Sequence, residues 1–551
     1  MGLWLMTFFL VWSPMSVVDV EKDELEAIMG ITGSFSVEEL DSQEVERLSD
    51  CLRYPLHINL AKVSDFERIG IFTPYQIASI MDYRSRHGNI CSLSELAYVD
   101  GFNQVLVQAL APFISLDVKN LSLDSKSGTK VRQDLHARSS YSPDKEQYSY
   151  GLKYRLSAGD FGCSLSASSG ADTPSLSGNL TYEGTYGKLI LGDFNARFGQ
   201  GLGLWNTAVI GGLNSPSAFM RKPTGVTPTF SYTGSTALTG AAAVASLGDW
   251  RSSFILVVPG LKSIAEKPLK VTLMPAVNIT KYMRNGHLSM THYMNFSEFM
   301  TPDFRIPQMK TSSDLSLCVR GVNLFSELAY DWVNYGAEAV AGVDLRLGER
   351  TRVASLVRFL KNEHVAAMSG ECRVDKKNDF VFSLETSYKP DDSVSKLQLK
   401  SQLIWNYRIL DCLMLKFRLA ERLRTWGNKF RTDARVDFIY EYESLYASMR
   451  LNLLNCVNTS GLGYMEGGYK REELSAYLRF GLFAVDDWED RIYVYERDAP
   501  GSFNVPAYYG RGFWTAATLS WKAARWCRLY FRASIKKPGK AELKFQCVLR
   551  L

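Results

Sequence analysis

From about residue 130 to the end of the chain, apolar and polar residues alternate. Leu397, Leu399, Leu403, Trp405 and Tyr407 alternate with Gln398, Lys400, Gln402, Asn406 and Arg408. Val436, Phe438, Tyr440 and Tyr442 alternate with Arg435, Asp437, Glu441 and Glu443, and Leu445, Met449, Leu451 and Leu453 with Ser448, Arg450 and Asn452. The same pattern runs through Tyr148–Leu156 and Leu176–Tyr182, and through the final stretch, where Leu543, Phe545, Cys547, Leu549 and Leu551 alternate with Lys544, Gln546 and Arg550. A period of two is that of a β-strand, whose successive side chains point to opposite faces. Each strand therefore carries one apolar face and one charged face.

Before residue 116 the signals are helical. Ser36 with Glu39, Ser64 with Glu67 and Ser92 with Glu95 have the spacing of capping boxes, in which two side chains satisfy the free backbone donors at a helix start. Thr73-Pro74 predicts a further helix that stops at Gly88, because proline is tolerated in the first turn and glycine favours the terminus. Along it Ile77, Ile80 and Met81 fall on one face and would line a small core.

Two architectures accommodate the alternating body. In a soluble sandwich the apolar faces of two sheets meet and the charged faces point to water. In an outer-membrane barrel the apolar face meets lipid and the charged face lines the lumen. The chain has 29 Phe, 28 Tyr and 11 Trp against 18 Pro, a composition suited to interfacial aromatic girdles and long strands. Together with strands that run to the last residue, this favours the barrel. On that reading Phe438 and Tyr440 face lipid, and substitutions at the lumen-facing Arg435 and Glu441 are expected to be milder. After the N-terminus no apolar run is long enough for a membrane helix.

The first residues, MGLWLMTFFLVWSPMSVV, are uncharged and carry an apolar run from Leu3 to Trp12. The run has the length of a secretory signal core but no preceding Lys or Arg, so a signal over 1–18 and a buried N-terminal helix both remain open. Acidic sequence beginning at Asp19 favours the signal.

Charge divides the chain more sharply than its total of +5 indicates. Residues 19–114 hold sixteen acidic and seven basic side chains, a net of −9, which leaves about +14 on the remainder. An acidic head and a basic lumen attract each other, so the head is expected in or beneath the pore. The same lumen would also favour an anionic solute.

Catalytic and metal chemistry find little footing. The nine cysteines, dispersed from Cys51 to Cys547, include no CxxC pair, and His287 and His292 fall on opposite faces of one strand. The glycine-rich run Gly199-Gln200-Gly201-Leu202-Gly203 lacks the Gly-Lys-Ser/Thr of a phosphate loop, and reads as a strand bend or close packing beside Phe194, Phe198 and Trp205. No cofactor and no enzymatic activity are expected.

The stretches HINLAKVSDFERI, YQIASIMDYRSRHG and SLSELAYVDGF, over about residues 55–114, resemble the paired helix-hairpin-helix repeat of the ComEA competence family. LGDFNARFGQGLGLWN, DRIYVYERDAPGSFNVPAYYGRGF and the closing strand resemble segments of Bacteroidetes proteins that join such a head to an outer-membrane barrel. The closing strand departs from the usual pattern by ending in Leu551, where an aromatic is common. The resemblance implies an α+β chain: a small all-α periplasmic head over 19–116, a linker over 117–130, and a large antiparallel transmembrane β-barrel over 131–551, with roughly 16–20 strands. It also implies phosphate contact at the hairpin joints, here Gly70, Ile71 and Thr73 in the first and Gly101 and Asn103 in the second. Ile71 and Thr73 replace glycines that would let a backbone approach a phosphate, and a field of −9 repels nucleic acid. The leading expectation is thus a non-enzymatic barrel whose head plugs, gates or docks, with outer-membrane lipid and a periplasmic protein as partners. DNA uptake through the head is the alternative, and a barrel enzyme of lipid or cell-wall chemistry is a third, weaker one.

Overall fold

The computed structural model describes residues 24–34, 36–40, 42–116, 131–169, 174–184, 187–207, 212–232, 236–258, 273–297, 305–348, 350–390, 396–502, 504–537 and 539–551. The expected signal segment and the linker at 117–130 lie outside the described residues.

Among the described residues six α-helices form the head: α1 (Glu24–Thr32), α2 (Ser42–Arg53), α3 (Val63–Ile69), α4 (Pro74–His87), α5 (Leu93–Leu96) and α6 (Gln104–Leu110). Their ends follow side-chain chemistry. The Thr73 hydroxyl accepts from the Gln76 backbone N–H at 3.2 Å while the Gln76 side chain accepts from the Thr73 N–H at 2.9 Å, a reciprocal cap on α4. Ser92 caps α5 and Asn103 caps α6.

Two of the expected boxes differ. The α3 helix starts before Ser64, and the Asp65 carboxylate accepts from the Lys62 N–H at 2.9 Å, which releases Glu67 from capping. Ser36 opens only a 3-10 turn and makes no side-chain cap, and Glu39 instead accepts from Asn214 of the body at 3.0 Å. In both places the glutamate is drawn to the barrel.

A short parallel pair, Leu56–His57 with Ile114–Ser115, ties the middle of the head to its end. The head core comprises Ile28, Leu48, Ile58, Phe66, Phe72, Ile80, Leu96, Leu110 and Phe113, with smaller neighbours, and includes no barrel residue. The head thus closes its own apolar interior, as an independent folding unit does.

The body is a closed antiparallel barrel of 24 strands among the described residues, counted from Val131–Ser142 to Lys540–Arg550. These two pair with each other from Leu543↔Tyr141 to Arg550↔Asp134. A further short strand, Gly225–Pro228, lies against Phe194–Arg197 without joining the wall. The wall exceeds the expected 16–20 strands because at one end consecutive strands are joined by tight turns, as between Ala158 and Phe161, Leu247 and Trp250, Leu410 and Leu413, and Tyr442 and Leu445. Little chain is spent on connections there. The longer connections, after Arg197, Val257 and Val485, all lie at the other end.

Strand faces follow the alternation in the sequence. Phe438, Tyr440, Leu451 and Leu453 are exposed outward, while Arg435, Asp437, Asn452 and Glu466 are buried inward. A closed ring with an apolar exterior and charged interior is an outer-membrane barrel, since only closure satisfies every strand edge in lipid. By the same rule the short-turn end, where both barrel termini lie, faces the periplasm. No helix among the described residues is long and apolar enough to cross a membrane.

Candidate functional site

The head faces the periplasm from inside the barrel, and its carboxylates meet inward cations at widely separated points of the wall. Glu46 is paired with Lys153, and Asp50 Oδ2 lies 2.9 Å from Arg155 Nη2, both on the second strand. Glu67 is bound by Arg251 and by the Tyr282 hydroxyl. Far around the ring, Glu38 Oε1 lies 2.6 Å from Arg450 Nη1 and Oε2 lies 3.4 Å from Arg435 Nη1. Asp437 completes this cluster by accepting from both arginines. Burial alone would raise the Glu38 carboxyl, but Arg450 and Arg435 outweigh it and hold the group well below the usual carboxylate range.

Tyr54 ties the head to the point where the barrel closes. Its hydroxyl donates to Asp134 at 3.0 Å, the Arg132 guanidinium lies 3.9 Å from its ring centre, and Arg550 of the last strand lies 5.8 Å away.

Two connections from the opposite end fold inward to meet the head. After Arg197 the chain crosses the lumen, and Ser217 donates to the Thr32 carbonyl at 2.9 Å. This connection is fastened by Glu327, whose buried carboxylate accepts from the backbone N–H groups of Gln200 (2.7 Å), Leu202 (2.9 Å) and Gly203 (2.9 Å). The Gly-rich run is therefore not a strand bend, as expected, but a turn outside the sheet whose amides hold an anion supplied by the chain itself. Gly199 has φ +64, and a Cβ there would come within 2.7 Å of the Glu327 carboxyl carbon. The expected packing of Phe194 and Phe198 is present, since both are buried with Ile190, Leu204 and Val226.

Further along the same connection, Lys222 makes no ion pair among the described residues. Burial, with repulsion from Arg352, pushes its ammonium down to about 8, against partial support from Glu44.

The second inward connection, after Val485, brings the Tyr495 N–H to Glu38 Oε1 at 3.1 Å. It is anchored by Asp490, which accepts from the Val457 and Asn458 amides at 3.1 and 2.8 Å, by Asp498 against Lys544 at 2.7 Å, and by Glu496 with Arg532 and Tyr508.

The hairpin positions are occupied by structural contacts. Gly70 ends α3 at φ +66, and a Cβ there would meet the Arg47 guanidinium and Thr224 of the inward connection. Ile71 is 3% exposed in the head core. Thr73 and Asn103 spend their side chains on helix caps, and Gly101, at φ +83, accepts from the Gln76 amide at 3.0 Å beneath the Tyr75 ring. The first joint thus faces the lumen filling, leaving little room for a phosphate backbone.

Among the described residues two cavities lie open between the head and the wall: one of about 890 Å³ near the closing seam, bordered by Glu24, Ala111, Arg497, Arg528, Lys544 and Arg550 among others, and one of about 680 Å³ bordered by Asp50, Arg68, Arg132, Arg155 and Phe230. The walls of the first are rich in cations. No group of His, Cys, Asp and Glu able to hold a metal ion occurs among the described residues.

The sequence marks the acidic head and the basic lumen but not their pairings. Glu38 and Arg450 are more than four hundred positions apart, and only ring closure brings them together. For Glu327 one signal was available: a carboxylate on the inward face of an otherwise small and apolar strand segment, Phe325–Ala329.

No family model matches the chain, and no curated protein matches it. Among solved structures, the siderophore receptor PirA from Acinetobacter baumannii is similar at 7% identity and a TM-score of 0.44, over 78% of this chain and 81% of that one. The copper transporter OprC is similar at 7% identity and 0.43, over 77% and 82%. The FrpB iron transporter from Neisseria meningitidis (F3-3 variant) is similar at 8% identity and 0.37, over 80% and 84%.

Proposed function

We propose that the chain is a gated, non-enzymatic outer-membrane pore in which residues 19–116 act as the plug. On this reading it is of the kind its sequence resembles, a helix-hairpin-helix head of ComEA type joined to a barrel over 131–551. The observation that carries the proposal is the division of labour at the head. Its apolar core is its own, and its hold on the wall is polar, through Glu38, Glu46, Asp50 and Glu67. A plug attached in this way can leave the wall without exposing apolar surface, because the groups separated are charges that water solvates well. The cavity near the seam is the path of least resistance when it shifts, and the periplasmic face of the head is where a protein partner would pull.

DNA uptake is the weaker reading. The first hairpin joint is packed against Arg47 and Thr224, and helix caps use the polar groups that a phosphate would otherwise meet.

Planar-bilayer recording tests the proposal. The full chain is expected to conduct little, and a chain lacking residues 24–116 to conduct steadily, with both barrels migrating anomalously on gels until boiled. Equal conductance from two well-folded barrels would sink it. Tight, salt-sensitive DNA binding by the isolated head would favour the uptake reading instead.

A further inference from the structure

The barrel mouth away from the termini carries a concentration of like charge that the described carboxylates offset only in part. Strands Leu413–Arg424 and Lys429–Tyr442 meet there in a register that sets Arg422 directly opposite Arg431 and Arg424 directly opposite Lys429. Like charges facing one another across a strand pair are destabilising. All four alternate in phase with Arg418 and Arg435 and so point into the lumen. The second inward connection adds Arg491 to the same spot, and the five cations, with Cys456 and one carboxylate, Glu489, line a cavity of about 70 Å³.

Nearby carboxylates do not balance them. Glu489 reaches only Lys429, at 3.4 Å. Asp433 is taken by Arg418 at 3.2 Å and Glu385 by Lys400 at 2.5 Å. Arg431 donates to the carbonyls of Glu489 and Arg491, Arg424 to the Gln398 side chain, and Arg491 to Tyr493 and the Trp488 carbonyl. These contacts orient the guanidinium groups without cancelling charge. Arg422 has neither an ion pair nor a hydrogen bond among the described residues.

We infer that this cluster is a binding site for a tetrahedral oxyanion, the phosphate or sulfate group of a small solute or the free ion. The cavity corresponds to about two waters' share of liquid volume, enough for such a group but not for a sugar ring or a base. Planar guanidinium forks are suited to recognising one. The site goes beyond the plug reading and does not depend on it, since no head residue lines it.

Calorimetry on the full chain in zwitterionic detergent at low ionic strength tests the site, with inorganic phosphate, inorganic sulfate and glycerol phosphate as separate probes. Saturable binding at one site per chain is expected, weakened at least tenfold by Arg422→Gln and unchanged by Lys376→Gln, an exposed cation at the opposite end. Equal affinity for glycerol phosphate and phosphate assigns the site to a solute monoester, and a strong preference for phosphate assigns it to the free ion. Phosphate should also raise the thermal midpoint of the unsubstituted chain more than that of Arg422→Gln, and should slow alkylation of Cys456, which lines the same cavity, but not of the exposed Cys372. No saturable binding by any probe, or equal affinity in Arg422→Gln and the unsubstituted chain, overturns the inference.

Discussion

Glu38 of the head and Arg450 of the wall lie 2.6 Å apart, oxygen to nitrogen, although 412 positions separate them in the chain. The pair is buried, and Arg435, Asp437 and the Tyr495 amide complete its hydrogen bonding, which is the condition under which a buried ion pair is favourable. Glu38→Gln should weaken head docking by about 3 kcal/mol, because it leaves two guanidinium groups under-compensated. Faster exchange of the Tyr495 amide, which donates to Glu38 across the contact, with the head's own unfolding unchanged, is the signature to look for. Because the docked carboxyl is held down, its contribution is present above the ordinary carboxylate range. It is lost only as pH falls through the lowered value, so Glu38 should keep its full contribution, and give docking no pH dependence, between about pH 6 and 8.

Glu327 fastens the first inward connection through three backbone amides. Glu327→Gln removes the charge and turns an N–H₂ toward N–H donors, at a cost of about 2–3 kcal/mol. Hydrogen exchange at Gln200, Leu202 and Gly203 should accelerate while the strand Val322–Asp331 remains protected. Unchanged protection of those three amides would show that the connection is held elsewhere.

Lys222 works in the opposite sense. With its ammonium pushed down to about 8, the folded chain gives up a proton that the unfolded chain keeps until the ordinary lysine range. Stability should therefore rise with pH from about 8 upward across that window. Lys222→Met, which keeps the volume and drops the charge, should stabilise the folded state at pH 7 by about 2 kcal/mol. Thermal unfolding in detergent at pH 7 and at pH 10 (on the order of the lysine range) separates the two effects, since the gain should shrink at the higher pH.

Phe438, 40% exposed, faces lipid, and replacing it with Arg should cost about 2–4 kcal/mol if it lies near the bilayer midplane. On the lumen face the margin is narrower at Arg435 than the strand pattern alone indicates. It is 7% exposed and engaged by Glu38 and Asp437, so Arg435→Leu should cost about 1–3 kcal/mol, moderated because Arg450 keeps both partners. Folding yields from an assembly assay should rank an exposed-turn control first and Phe438→Arg last. Equal yields for the control and Phe438→Arg would remove the membrane assignment.

The barrel was legible because lipid and lumen impose opposite demands at every second residue, and runs such as Leu397–Arg408 record both. The caps at Thr73 and Ser92 were legible because capping is settled within four residues, whereas Asn103, read as a hairpin position, proved to be a cap as well. Glu39 and Glu67 misled because the spacing of a capping box says nothing about a stronger partner elsewhere. Asn214 and Arg251 supplied that partner, across distances that no local window spans. The strand count followed from turn lengths, which the alternation leaves undefined wherever a strand end is polar. At Gly199–Gly203 the absence of a phosphate-loop lysine argued correctly against a nucleotide, but the amides were arranged for an anion all the same.

Tyr54 gives the barrel's seam a significance for biogenesis. It touches Arg132 and Asp134 on the first strand and lies near Arg550 on the last, so part of the head sits where the ring is sealed. The head leaves the ribosome before any strand, and the sealing strand leaves last. A domain with its own core can be complete while the sheet is still an open ribbon, and the ribbon can then curl around it. A ring sealed empty would have to admit the head through its periplasmic mouth, against a crowded wall. Assembly therefore runs most simply as wrapping, with the stopper in place before the vessel is closed.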